Sequence, residues 1–169
     1  MMVMKNIVLI GMPGCGKSVI GKILAEKIGL TFLDIDTYVE ESTKHSITEI
    51  FENGEPFFRE IEAKATFQVS EKALAVISTG GGVVNLYENI INLKKNGIII
   101  YINRPIKNIV EDIDVKNRPL LLKDPSEIYR IFVERAPLYK KYSDHEIMNN
   151  SNIEDVVSNI IEIYEEINK

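Results

Sequence analysis

The residues Gly11-Met12-Pro13-Gly14-Cys15-Gly16-Lys17-Ser18 have the types and spacing of a phosphate-binding loop. Glycines at its first and sixth positions let backbone N–H groups turn inward on phosphate oxygens, the lysine brings a mobile positive charge, and the serine hydroxyl can ligate magnesium. The competing reading is a glycine-rich turn that binds nothing, and the flanks argue against it. Ile7-Val8-Leu9-Ile10 precedes the loop as a strand, and Val19-Ile20-Gly21-Lys22-Ile23-Leu24-Ala25 follows as a helix whose N-terminus faces the same anion. Cys15 reads as a filler, since the loop's mechanism needs no side chain there. The chain therefore binds a nucleoside triphosphate, and the use made of the phosphate must be read elsewhere.

Phe32-Leu33-Asp34-Ile35-Asp36-Thr37 reads as the end of a strand, where period-2 geometry places Asp34 and Asp36 on one side of the chain. Ligands of open α/β sheets sit outside the carboxyl ends of strands. One carboxylate could share a magnesium shell with Ser18 while the other accepts a hydrogen bond from a hydroxyl attacking the γ-phosphate. Charge does not say which, and an Asp capping the next helix is the alternative. Arg59, in Glu55-Pro56-Phe57-Phe58-Arg59-Glu60-Ile61-Glu62, pairs by default with Glu62. An arginine early in a helix opposes the dipole, however, and points to an anion. Arg135, in Glu134-Arg135-Ala136-Pro137-Leu138-Tyr139, is either charged helix surface or one of a pair gripping a carboxylate.

Gly80-Gly81-Gly82 follow a further strand; a tight turn uses one glycine, and this run favours close approach by a substrate. Arg118 precedes Pro119, which disfavours helix there, inside residues 113–124, a loop of lid length between two helices. His45 and His145 have no metal-ligand spacing near them, and no nucleophile-elbow sequence supports a hydrolase.

Elements able to position these groups are visible in the apolar pattern. Short runs near 6–10, 31–34, 74–78, 98–102 and 145–148 alternate with helical segments at 17–28, 37–53 in two pieces, 57–72, 86–95, 105–112, 125–140 and 153–167. That alternation predicts an α/β fold with a parallel sheet covered on both faces. Gly29 and Gly97 are read as helix ends, and Ile153, Val156, Val157, Ile160, Ile161 and Tyr164 as a stripe packing on the sheet. With 169 residues, 45% hydrophobic and 27% charged, the chain predicts one soluble domain over residues 1–169. A net charge of −5 with no basic cluster argues against a nucleic-acid partner. No run approaches the ~20 apolar residues of a membrane span. Met1 to Lys5 run straight into the first strand, so a removable leader would destroy the loop, and a lone cysteine fits a reducing cytoplasm. Nothing demands more than a monomer.

Taken in order, these residues resemble shikimate kinase over essentially the whole chain: Gly11 to Ser18, Asp34-x-Asp36, Phe58-Arg59-x-x-Glu62, Gly80-Gly81-Gly82, Arg118-Pro119-Leu120 and Arg135-Ala136-Pro137-Leu138-Tyr139. The resemblance implies a three-layer P-loop kinase of the nucleoside-monophosphate-kinase type, with a five-stranded parallel sheet in order 2-3-1-4-5, a substrate-binding helical segment at about 35–62 and a lid at about 113–124. It implies phosphorylation of the shikimate 3-hydroxyl by ATP with Mg2+, on the route to chorismate and the aromatic amino acids. By that resemblance Asp36, Arg59, Gly81 and Arg135 would hold shikimate, and Asp36, Lys17 and Arg118 would act on the transfer, Arg118 reaching the ATP phosphates from the lid. Gly14, Cys15, Gly16, Lys17, Ser18 and Val19 would hold the nucleotide, and Ser18 with Asp34 would organise magnesium. Family members often carry a basic residue near adenine where this chain has Asn149-Asn150-Ser151-Asn152. The alternatives are a kinase for gluconate or a nucleoside monophosphate, and a nucleotide-binding module that transfers nothing. The module would need no convergence of Asp36, Arg59 and Arg135.

Overall fold

The computed structural model describes residues 4–114, 116 and 118–169; Met1 to Val3, and Val115 and Asn117 of the expected lid, lie outside the described residues. Strands β1 (Asn6–Ile10), β2 (Thr31–Asp34), β3 (Ala75–Ser78), β4 (Gly97–Asn103) and β5 (His145–Met148) form a parallel sheet in the order β2-β3-β1-β4-β5. The flanking helices are α1 (Lys17–Ile28), α2 (Ile35–Thr43), α3 (Ile47–Phe51), α4 (Glu55–Ser70), α5 (Tyr87–Asn96), α6 (Ile106–Asp112), α7 (Pro119–Lys123), α8 (Glu127–Tyr142) and α9 (Ile153–Ile167). Central β1 and β4 are apolar on both faces because helices cover both, and Ile7 of β1 lies level with Val76 of β3 and Ile98 of β4. The edge strands β2 and β5 are only partly buried.

From β1 the chain runs to β2, returns to β3, then crosses β1 to reach β4. The strand order therefore reverses direction at β1, and residues 11–18 leave its carboxyl end at the switch point where open α/β sheets bind ligands. α1 starts from Gly16 at φ 102°, a left-handed conformation that a side chain would make costly. Gly29, at φ 70°, ends α1 as expected. The apolar stripe of α9 buries Val156, Val157, Ile160 and Tyr164, and the helix packs on the edge strand β5 of the sheet and on α1.

The boundaries that differ from the sequence prediction have local causes. The Asp34 carboxylate accepts from the Thr37 N–H at 3.1 Å and caps α2, which starts at Ile35 rather than near 37. Asp36 is consequently helical, and strand periodicity does not relate it to Asp34. Gly97 follows the last residue of α5 as expected, and its φ of −134° and ψ of 159° make it at once the first residue of β4. A Cβ there would lie 2.8 Å from the Leu93 carbonyl oxygen and 2.9 Å from Val8 Cγ2, so lack of space, not torsion, favours glycine. Within the expected loop at 113–124, Pro119 opens the short α7, where its fixed φ suits a first helical position. Arg118 stays extended at φ −129°, as a residue before proline does. No helix of the described residues is long and apolar enough to cross a membrane.

Candidate active site

A cavity of about 570 Å3 opens at the carboxyl ends of the strands, lined by Gly14, Gly16, Lys17, Ser18 and Val19 on one side and by Asp34, Asp36, Gly80, Gly81 and Arg118 on the other. Lys17 is buried, and its Nζ donates to the carbonyls of Gly11 at 2.8 Å and Met12 at 2.9 Å, with Cys15 Sγ at 3.6 Å. Cys15 itself is fully buried beneath the loop, in keeping with a filler. Ser18 Oγ donates to Asp34 Oδ2 at 2.7 Å. Asp34 thus caps α2 with one oxygen and receives Ser18 with the other, so the structural and functional roles weighed for it coexist.

A second hollow of about 90 Å3 adjoins the first and is lined by Asp36, Arg59, Glu62, Gly80 to Gly82, Arg118 and Arg135, with an apolar wall that includes Ile47, Phe51, Phe58 and Ile131. Arg59 Nη1 donates to Glu62 Oε1 at 2.8 Å and Nη2 to Glu55 Oε1 at 3.0 Å, which answers the dipole objection to an arginine at this position. Burial opposes the Arg59 charge, yet Glu62 and Glu55 outweigh it and hold the guanidinium above its ordinary range. Arg135 is buried and forms no ion pair among the described residues. Glu62 is also buried, and its Oε2 has no hydrogen-bond partner among the described residues.

The glycine run has a separate reason at each position, and none of the three residues has positive φ. A Cβ on Gly80 would lie 2.9 Å from Glu62 Oε2 and 3.1 Å from Asp36 Oδ1. On Gly81 it would strike Pro13 Cδ at 2.6 Å, and on Gly82 the Arg59 guanidinium at 2.3 Å. The run is glycine because the acidic pair, the phosphate loop and the arginine all press against its backbone.

Structure separates the two aspartates that charge could not. Burial, then Asp34 and Glu62, push the Asp36 carboxyl up from 3.8 to about 6, while Lys17 and Arg118 pull it down. Asp36 lines both hollows; Asp34 lines only the larger of them. Among the described residues no group of three His, Cys, Asp or Glu could enclose a metal.

Sequence reasoning missed Arg104 as part of this site, and it named Asn149 only as standing where relatives carry a basic residue near adenine, not as a partner of the phosphate loop. Arg104 Nη1 donates to the Gly14 carbonyl at 3.0 Å and Asn149 Nδ2 to the Cys15 carbonyl at 2.8 Å, and both line the larger cavity. The available signal was position: they follow the carboxyl ends of β4 and β5, the rule that singled out Asp34.

A switch-point phosphate loop sharing Asp36 with a compact second hollow, on a parallel 2-3-1-4-5 sheet, defines a P-loop kinase acting on a small molecule. The shikimate kinase family model matches residues 13–165, and the chain belongs to that family. It is a phosphotransferase acting on a hydroxyl group. A shikimate kinase of Clostridium botulinum (strain Eklund 17B / Type B) is 47% identical over 161 residues, spanning 95% of this chain and 98% of the relative. Shikimate kinase from Acinetobacter baumannii, solved in complex with shikimate, superposes with a TM-score of 0.90 at 32% identity, covering 95% of this chain and 92% of the other. The Aquifex aeolicus shikimate kinase superposes with a TM-score of 0.83 at 36% identity, covering 96% and 97%.

Proposed function

We propose that the chain transfers the γ-phosphoryl group of ATP to the 3-hydroxyl of shikimate, giving shikimate 3-phosphate and ADP on the route to chorismate. The observation that carries the reading is that Asp36, Gly80, Gly81 and Arg118 line both hollows, so a donor phosphate and an acceptor hydroxyl would meet over one carboxylate. A carboxyl titrating at about 6 is ionised at neutral pH and still basic enough to take the hydroxyl proton, which suits Asp36 to that task. Arg59 and Arg135 would grip the shikimate carboxylate with charge-assisted hydrogen bonds. Gly81 would offer its backbone, and the apolar wall with Phe58 would meet the ring.

On the donor side Lys17 would exchange its loop carbonyls for phosphate oxygens, and Arg118 would share the developing charge. Residues 14–19 would hold the triphosphate, and Arg104 with Asn149 to Ser151 would line the nucleotide's far end. Ser18 and Asp34 would hold magnesium: they are oxygen donors 2.7 Å apart, and a site with few protein ligands fits an ion that keeps waters and substrate phosphates in its shell. When bound, that ion supplies charge neutralisation on the transferring phosphate. Closure of residues 113–124 over the segment 35–62 would keep water from competing with the hydroxyl. The chain would act as a monomer in the cytoplasm. A coupled ADP-release assay across shikimate, gluconate and nucleoside monophosphates tests the reading. Turnover with shikimate is expected, and silence with shikimate alongside activity on another acceptor would replace it.

A further inference from the structure

Tyr139 has no part in the reaction as just described, yet it lies where the site's parts meet. It is fully buried on α8, one helical turn after Arg135. Its hydroxyl donates to the Gly81 carbonyl at 2.5 Å and lies 4.0 Å from Met12 Sδ of the phosphate loop. Its ring stacks on Tyr101 of β4 with centroids 5.2 Å apart. Pro13 of the phosphate loop also crowds Gly81, its Cδ 2.6 Å from where a Cβ would stand. Burial raises the phenol above its ordinary range and outweighs the opposing pull of the Arg135 guanidinium, so the hydroxyl keeps its proton and remains a donor. Pro137, between Arg135 and Tyr139, removes a backbone N–H from the helical ladder at this point. The local course of α8 therefore depends more on what its side chains grip.

We propose that Tyr139 is a positioning residue for the acceptor: through its hydrogen bond to the Gly81 carbonyl it fixes the glycine run relative to Arg135, so that both face one substrate. The proposal rests on the acceptor roles given above to Gly81 and Arg135. Packing alone needs only the ring, which phenylalanine would supply; the hydroxyl's contribution is the bond to Gly81. A loose glycine run would weaken capture of shikimate and leave the nucleotide held by residues 14–19.

Tyr139→Phe separates the two roles. Its KM for shikimate is expected to rise about tenfold, with the KM for ATP and the kcat each within about threefold of wild type. In an Arg135→Lys background the same change is expected to cost distinctly less, because holding Gly81 in register with Arg135 matters less once the guanidinium is gone. Tyr164→Phe serves as the control, since its hydroxyl is buried on α9 without a partner among the described residues and its loss should move neither KM. If Tyr139→Phe is insoluble, Tyr139→Met removes the hydroxyl with a side chain that fills irregular space and reads the same contrast. An unchanged shikimate KM, or equal rises for both substrates, in an active and folded variant would overturn the proposal. Wild-type protein that turns over no shikimate would overturn the functional reading beneath it, an outcome seen before any variant is compared.

Discussion

The donor and acceptor halves of this site are made from different materials. Residues 11–18 are contiguous, the contacts proposed for them with phosphate are largely backbone, and Lys17 donates to the Gly11 and Met12 carbonyls. The proposed acceptor half collects Asp36 from α2, Arg59 from α4, Gly81 from the run after β3 and Arg135 from α8. Its charges do not balance internally: Asp36 is crowded by Asp34 and Glu62, Glu62 Oε2 is unpartnered and Arg135 has no ion pair among the described residues. A backbone-built site tolerates the loss of a side chain elsewhere, whereas a side-chain-built site is completed by its ligand and fails one residue at a time.

The sharpest way to break this division is Asp36→Ala. Shikimate phosphorylation is expected to fall by about 10^3-fold or more, while ATP affinity by calorimetry stays within about twofold; a parallel loss of ATP binding would merge the halves. Next in size, Arg59→Ala and Arg135→Ala should each raise the shikimate KM by about 10^2-fold. Their stabilities should differ, because removing Arg59 strands the buried Glu62 and lowers the melting temperature, and removing Arg135 strands no carboxylate. Gly81→Ala sharpens the comparison at the boundary: its methyl would strike Pro13, so the KM values of both substrates should rise, by about tenfold, with roughly 1–3 kcal/mol of destabilisation.

The smallest effect is on pH. With Asp36 raised from 3.8 to about 6, kcat/KM for shikimate should climb as pH rises through about 6 and then level, as ATP affinity stays flat. The fold favours the protonated carboxyl, so its contribution to stability is full below pH 3.8 and lost as pH rises through about 6. Asp36→Asn should therefore raise the melting temperature at pH 8 and leave it nearly unchanged below pH 4. A melting temperature that falls at pH 8 would show that Asp36 is not strained by its neighbours.

What could be read from the sequence follows the same division. The phosphate loop was legible because its pattern is contiguous and its flanks show opposite periodicities. Arg59, Arg135 and the glycine run stood out as residues too polar or too small for their settings, but their convergence requires a sheet that brings positions 36, 59, 81 and 135 to one edge. Asp34 and Asp36 could not be told apart until α2 was seen to begin between them. Residues 119–123 fell inside the expected loop because Pro119 reads equally as a breaker and as a first helical residue, and only the fold decides. The grip of Arg104 and Asn149 on the phosphate loop was not legible for a further reason: their partners are main-chain carbonyls, 90 and 134 residues away, which carry no side-chain signature.

Those remote donors set a limit on transplantation. Grafted onto a foreign strand–helix junction, residues 11–18 would keep their glycines and lose the clamps from Arg104 and Asn149. The Cys15 carbonyl and the Gly16 N–H belong to one rigid peptide plane, so freeing the first lets the second rotate out of aim. The portable unit of phosphate recognition here is the octapeptide together with the residues that follow β4 and β5.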